Sequence, residues 1–170
     1  MTVVEFVRRS ISDLNNTIID DVKTLTPQQI AWKPAPKANP IGFIFWHFIR
    51  HEDETISSLQ KKPSVWENEK WYQKLGMDPK AQGTGFKEPE VDKVATLPLA
   101  DLLKYTEHVT QNAQDYLKTL KDTELDNIPD PNSPRRTIAV ILRSFVVAHG
   151  WWHIGEIKYI KGMLGMPFAY

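Results

Sequence analysis

The sequence predicts an all-α protein, a four-helix bundle with a long irregular insertion between the second and third helices. Four segments carry apolar residues at the three- and four-residue spacing of an amphipathic helix. Proline-containing segments separate them, and no stretch alternates apolar and polar residues as a β-strand does. The 170 residues, 41% of them apolar, are enough for a buried core, so we expect one domain over residues 1–170.

The first helix is predicted over residues 3–24. Thr2 and Glu5 form the capping-box pattern of a helix start, and apolar residues then recur on one face. Thr26 and Pro27 predict one further short helical turn. The three prolines of the connector WKPAPKANP restrict the backbone, so the helical pattern stops there.

The second helix is predicted over residues 41–60, after the start signal of Asn39 and Pro40. Residues 61–96 follow without a long periodic stretch, and we expect an irregular insertion. Aromatic residues and a glycine pair in this segment favour packing over a free linker. The aromatic residues are Trp66, Trp71, Tyr72 and Phe86.

The third and fourth helices are predicted in the second half of the chain. The third begins around Pro98 and ends near Lys121, and it carries the longest apolar stripe of the sequence. After a proline-rich loop, Thr137 caps the fourth helix, which is predicted over 138–164 and ends at Gly165.

The composition excludes several classes of protein. Because 21 basic residues balance 21 acidic residues, we expect no nucleic-acid partner. We see no apolar stretch of the length that a membrane span needs and no signal-peptide pattern, so we expect a cytoplasmic protein with no membrane partner. Without cysteine, the chain has no disulfide and no thiolate ligand, and any metal ion must be held by His, Asp or Glu.

Four of the five histidines form two pairs, His47 with His51 and His149 with His153. Residues four apart lie one turn above each other on a helix, so two such helices face to face would surround a metal ion. The alternative is that the histidines are solvated or hydrogen-bonded without a metal. The apolar neighbours of the second pair favour the metal, since an unpartnered buried imidazole costs about 1–3 kcal/mol.

Other metal and catalytic motifs are absent. A zinc-protease helix needs a histidine where Thr55 stands, four residues after His51. No glutamate precedes any histidine by three residues, so the Glu-x-x-His pattern of di-iron bundles is missing. His108, beside Glu107, is interpreted as a surface residue.

Two segments, PIGFIFWHFIRHED at 40–53 and HGWWHIGEI at 149–157, are similar to the DinB superfamily of bacterial four-helix-bundle proteins. The connector before them and the tryptophan-bearing insertion extend the resemblance over most of the chain. The resemblance implies a divalent metal ion, zinc first and nickel second, held by His47, His149 and His153.

The resemblance does not determine the roles of several residues near this site. His51 is either a further ligand or a supporting or solvated residue, and we favour the latter. Glu52 and Glu156 are placed to accept hydrogen bonds from the ligands, or are solvated charges. Trp66 or Trp71 either covers the metal or packs outside the bundle, and we favour packing.

Three nitrogen ligands leave a coordination position open, which is the pattern of catalytic zinc. With the resemblance, this implies a metal-dependent enzyme acting on a small-molecule substrate, with transfer of a low-molecular-weight thiol as the favoured reaction. A metal-dependent hydrolase fits as well. The alternatives are a non-catalytic metal-binding or stress-response protein, and a metal-free domain with Trp46, Trp151 and Trp152 at a subunit interface. The resemblance also implies a homodimer.

Overall fold

A computed structural model describes residues 1–167, and within that range the regular elements are helices, with no β-strand. The predicted all-α class is therefore confirmed. In chain order the helices are α1 (Val3–Val22), α2 (Pro27–Ala31), α3 (Ile41–Gln60), α4 (Val65–Asn68), α5 (Trp71–Lys74), α6 (Glu88–Ala95), α7 (Leu99–Thr119), α8 (Ile138–Ile141) and α9 (His149–Met163), and a π-helical stretch (Leu142–Ala148) joins the last two.

The long helices agree with the predicted ones to within a few residues. Thr2 caps α1, where its hydroxyl accepts a hydrogen bond from the Glu5 backbone N–H at 3.1 Å. The predicted reciprocal bond does not form, because the Glu5 carboxylate binds Arg8 and Arg9 instead. Helix α1 packs on α7 and α9, and α3 packs on the same two helices, so each long helix buries its apolar stripe against neighbours.

The apolar core consists of two clusters that follow each other along the long helices. The first includes Ile18 and Ile49, and the second includes Ile11 and Ile56. Polar residues such as Asn15, Glu52 and Asp53 are also buried, which an apolar pattern alone does not predict.

The insertion is more regular than we predicted, because it contains α4, α5 and α6. Helices of four to eight residues are too short to show a clear periodicity in the sequence. Asp53 of α3 holds the start of α4, where its carboxylate accepts from the N–H groups of Val65 and Trp66, each at 2.9 Å. Trp66 and Trp71 are buried against the long helices, as expected for packing.

The fourth predicted helix is continuous from Ile138 to Met163, but it is not α-helical throughout. Each backbone hydrogen bond of a π-helix spans five residues, whereas that of an α-helix spans four. The π-helical stretch therefore rotates the face of α9 relative to that of α8. This stretch lies directly before His149 and therefore sets the direction in which both histidines of α9 point.

The same helix passes a coarse test of length and composition for a membrane span, although charged residues interrupt its apolar sequence. Ile138–Met163 meets both criteria, with a mean hydropathy of 1.2 in its most apolar window. A core helix of a soluble protein passes the same test, and α9 packs on α1 and α3. Only 22% of that window is buried, however, and one such helix is weak evidence for a membrane span in a fold of a soluble type.

Candidate metal centre

His47 on α3 lies opposite His149 and His153, which are one turn apart on α9. Each offers one ring nitrogen, and these three atoms all lie within 4.8 Å of one another. The centroid of the His47 ring is 5.4 Å from that of His149 and 5.3 Å from that of His153. The two packed helices thus bring together the three histidines that the family resemblance implied.

Hydrogen bonds fix two of these rings. His47 Nδ1 lies 2.6 Å from the backbone carbonyl oxygen of Gln82, and His153 Nδ1 lies 2.7 Å from a carboxylate oxygen of Glu156. Because a carbonyl or carboxylate oxygen only accepts, the Nδ1 atoms carry the protons. In the neutral rings the Nε2 atoms are unprotonated, which is the form that binds a metal ion.

His149 has the least complete pairing of the three. Its Nε2 lies 3.1 Å from His153 Nε2, and its buried Nδ1 has no hydrogen-bond partner among residues 1–167. Two nitrogen lone pairs at this separation repel each other unless a proton or a cation lies between them. The donor set therefore fits a divalent ion, since imidazole nitrogen is a ligand that zinc and nickel accept.

Burial keeps the rings of His47 and His149 neutral. Removal from water, together with the neighbouring His51, His153 and His47, lowers the pKa of His149 to about 3. Burial also lowers the pKa of His47, although the bond to Gln82 acts in the opposite direction. Neutral imidazoles at physiological pH are ready to bind a cation without first releasing a proton.

His51 lies beside these three histidines. Its Nδ1 donates to the carbonyl oxygen of Phe145, at 3.0 Å, within the π-helical stretch. Its ring centroid is 4.1 Å from that of His149, and burial lowers its pKa. His51 is thus a neutral neighbour of the candidate site, fixed by a backbone carbonyl.

The sequence did not predict that Gln82 and Gly83 lie against His47 and fix its position. Gly83 has a φ of +89°, and a Cβ atom there would lie 2.9 Å from His47 Nδ1. Only glycine fits both the backbone conformation and the space. The glycine pair at 83 and 85 was a visible signal of a tight turn, but nothing local linked that turn to a histidine.

The two glutamates that we considered as acceptors differ. Glu156 does accept from His153, as predicted. The prediction for Glu52 is wrong, because Glu52 is buried and accepts from Asn15 Nδ2 at 2.9 Å rather than from a histidine. The interface hypothesis also fails in part, since Trp46 is 1% exposed, whereas Trp151 and Trp152 are exposed.

A cavity of about 300 Å³ opens beside His51. It lies between α3 and the segment from Pro129 to Phe145, and the Gln82 side chain contributes to its wall. A small molecule bound there would contact the side of the histidine cluster that His51 forms.

Comparison with known proteins assigns the chain to a family. A family model of the DinB superfamily matches residues 16–157. The chain belongs to the DinB superfamily. All three histidines of the candidate site lie within the matched residues of this DinB protein.

A crystal structure of a conserved protein from Enterococcus faecalis is similar to this DinB protein. It shares 21% sequence identity and a TM-score of 0.82, over 97% of this chain and 99% of that one. At this identity the likeness shows the fold alone. No curated protein matches the chain.

Proposed function

We propose that this DinB protein is a metal-dependent enzyme in which His47, His149 and His153 hold one divalent ion, with zinc as the first candidate and nickel as the second. The observation that carries the proposal is the convergence of three ring nitrogens within 4.8 Å from two facing helices. Three nitrogen ligands leave room for water or substrate, as in catalytic zinc sites.

When bound, a zinc ion would supply a Lewis acid that lowers the pKa of a coordinated thiol or water. The chain's own residues orient the ligands. The Gln82 carbonyl and the Glu156 carboxylate hold the Nδ1 protons of His47 and His153, so the opposite nitrogens face the centre of the cluster.

The reaction we favour is transfer of a low-molecular-weight thiol to a small electrophilic substrate. The thiol releases its proton to water, its sulfur forms a bond to an electrophilic carbon, and the leaving group departs from that carbon with the electron pair of the broken bond. The resemblance described above favours this reaction, and because the chain has no cysteine of its own the thiol would come from solution. The cavity beside His51 offers a place for such a molecule.

An assay of the zinc-loaded protein tests the reaction. Conjugation of cellular thiols to a panel of electrophiles is expected, above the rate without protein. Hydrolysis of model esters or amides instead would support the hydrolase. Neither activity, with a stoichiometric ion bound, would support the non-catalytic metal-binding protein.

We also propose that residues 1–170 are one domain, a DinB-type four-helix bundle that acts in the cytoplasm as a homodimer without nucleic-acid or membrane partners.

We assign the dimer contact to three exposed apolar residues of α9. These are Trp152, Tyr159 and Met163, with 70%, 70% and 50% of their surface accessible. Light scattering of the wild type and of Trp152→Glu tests this assignment. A wild-type monomer would contradict it.

Replacing His47, His149 or His153 by Ala is expected to lower the metal content of protein purified without a tag from near one ion per chain to a small fraction of that value. Elemental analysis measures both the amount and the identity of the ion. His108→Ala is the matched control, since His108 lies outside the cluster and pairs with Glu69. Unchanged metal content in the three cluster variants would contradict the proposed ligands.

A further inference from the structure

Arg50 of α3 is a buried arginine that binds a carbonyl group of the insertion. Its side chain is 1% exposed, and its Nε donates to the carbonyl oxygen of Ala81 at 3.0 Å. Its other contacts are longer, at 3.3 Å to the Tyr105 hydroxyl, 3.4 Å to Asp53 and 3.6 Å to Glu54. Because a buried guanidinium is unfavourable unless its N–H groups have partners, the Ala81 carbonyl is a principal partner of this charge.

The nearby Asp53 carboxylate does not by itself account for the arginine. It accepts at 2.6 Å from the Tyr105 hydroxyl and at 2.9 Å from each of the first two backbone N–H groups of α4. These donors hold the carboxylate more closely than Arg50 does. The closest and most specific bond of Arg50 is therefore the one to Ala81.

His47 and Arg50 bind two consecutive carbonyl groups of the insertion. They lie three residues apart on α3, so both side chains reach the same side of the helix. Arg50 binds the Ala81 carbonyl, and the carbonyl oxygen of Gln82 lies 2.6 Å from His47 Nδ1. Because only φ and ψ of Gln82 separate the two carbonyl groups, fixing the first limits the positions of the second.

The Gln82 carbonyl determines which nitrogen of His47 can bind a cation. A carbonyl oxygen only accepts, so Nδ1 carries the proton and Nε2 keeps a free lone pair. Without this acceptor, the proton of the neutral ring is free to move to Nε2, and that tautomer cannot bind a metal ion through Nε2. The affinity of the ring for a cation therefore depends on a hydrogen bond that the insertion supplies.

We propose that Arg50 is a positioning residue for the candidate metal centre. By holding the Ala81 carbonyl, it keeps the Gln82 carbonyl on His47 Nδ1 and so selects the tautomer of His47 that binds a metal ion. The inference rests on the proposed function for the ion. The tautomer is a property of the metal-free protein and can be measured without an ion.

The first experiment identifies the protonated nitrogen of each imidazole in the metal-free protein, by NMR of the ring nitrogens at pH 8. In the wild type, the proton of His47 is expected on Nδ1. Arg50→Lys places a methylene where the Nε–H of the arginine lies and keeps the positive charge, so it should give a mixture of both His47 tautomers. His153 is the internal control, because Glu156 holds its Nδ1 and its tautomer should not change.

The second experiment measures zinc affinity by competition with a chelator. Arg50→Lys is expected to weaken zinc binding by at least about tenfold. Tyr105→Phe is the matched control, because the Tyr105 hydroxyl contacts Arg50 and Asp53 in the same buried network, and its loss should change the affinity by less than about twofold. Urea unfolding of both variants separates a loss of stability from an effect on His47.

A further variant, Arg50→Met, keeps the test available when the lysine variant does not fold. Its apolar side chain replaces the buried charge and also lacks the Nε donor, and such replacements are often tolerated in a core. It should give the same mixture of His47 tautomers and the same weakening of zinc binding.

The outcomes separate this inference from the proposed function. The role of Arg50 would be overturned by a wild-type His47 with its proton on Nε2, or by arginine variants that lose stability but keep the wild-type tautomer and affinity. Equal changes in Tyr105→Phe, or a changed tautomer of His153, would show general damage and overturn it as well. Absence of zinc binding by the wild type would overturn the proposed function, and the tautomers of the metal-free protein would still decide the role of Arg50.

Discussion

Glu52 is a buried carboxyl group whose charge the core does not compensate. Its one hydrogen bond comes from Asn15, and both its second oxygen and Asn15 Oδ1 lack a partner in the described chain. Burial raises the pKa of Glu52 to about 7, although Asn15 acts in the opposite direction. A proton on Glu52 would supply the donor that both unpaired oxygens need.

The raised pKa makes the stability of the fold depend on pH. Between pH 4.5 and about 7 the folded protein keeps the proton of Glu52 and the unfolded chain has released it. Stability therefore falls as the pH rises through this window, by about 3 kcal/mol in total, and stays low above it. Below pH 4.5 both states are protonated and this contribution is fully retained.

Glu52→Gln is expected to raise the free energy of unfolding at pH 8 by up to about 3 kcal/mol, because the amide supplies the missing donor without a charge. Urea unfolding at pH 5 and pH 8 measures the effect, and the difference between the two pH values should shrink. Glu107→Gln, at an exposed glutamate, is the control and should behave as the wild type. A variant with the wild-type pH dependence would show that Glu52 is not the responsible group.

Gly83 is a single residue that determines the position of His47. Gly83→Ala is expected to weaken zinc binding by at least about tenfold, because the new Cβ atom displaces the ring or the Gln82 carbonyl that orients it. Competition with a chelator of known affinity measures the change. Gly85→Ala is the matched control, since it has a similar positive φ but no atom within 4 Å of the added Cβ, and it should keep the wild-type affinity.

At the scale of elements, α3 holds both the candidate site and the insertion that supports it. Arg50 donates to the Ala81 carbonyl at 3.0 Å, and the next carbonyl along the chain, that of Gln82, binds His47. Arg50 and Asp53 are both buried, and Tyr105 of α7 donates to Asp53 at 2.6 Å. The contacts that dock the insertion therefore also position the ligand on α3.

Asp53→Ala is expected to lower the free energy of unfolding by about 3–5 kcal/mol, because it removes the buried carboxylate beside Arg50 and leaves the first N–H groups of α4 without their acceptor. Denaturant unfolding measures the loss. Asp92→Ala removes an exposed partner of Lys33 and should cost less than about 1 kcal/mol. Equal effects of the two substitutions would contradict the role given to the buried network.

The π-helical stretch acts at the same scale. Gly150, at the start of α9, has Leu14 and Phe48 side-chain atoms within 2.7 Å of where a Cβ atom would be, so α9 approaches α1 and α3 closely there. The stretch before it turns His149 and His153 toward α3 and brings the Phe145 carbonyl to His51. The candidate site thus depends on a local departure from α-helical geometry.

For the whole molecule, the two apolar clusters supply the stability and the histidines add to it only when an ion is bound. Zinc at about 100 times its dissociation constant is expected to raise the free energy of unfolding by about 2.7 kcal/mol. Thermal unfolding with zinc and with excess chelator measures the difference, which should vanish in His149→Ala. Far-UV circular dichroism should stay the same on metal removal, and loss of helicity would show that the metal is required for the fold.

The sequence by itself determined the long helices and which helix faces carry the histidines. The reason is that helix caps such as Thr2 and Thr137, and the spacing of apolar residues, are local properties of the sequence. The family resemblance added the choice of His47, His149 and His153. Only the tertiary structure decided what those rings touch. The Gln82 carbonyl reaches His47 from 35 residues away, Asn15 meets Glu52 across two helices, and Arg136 meets Phe145 beside the cavity. Such contacts follow from how helices and loops pack, so the spacing of residues along one helix does not predict them.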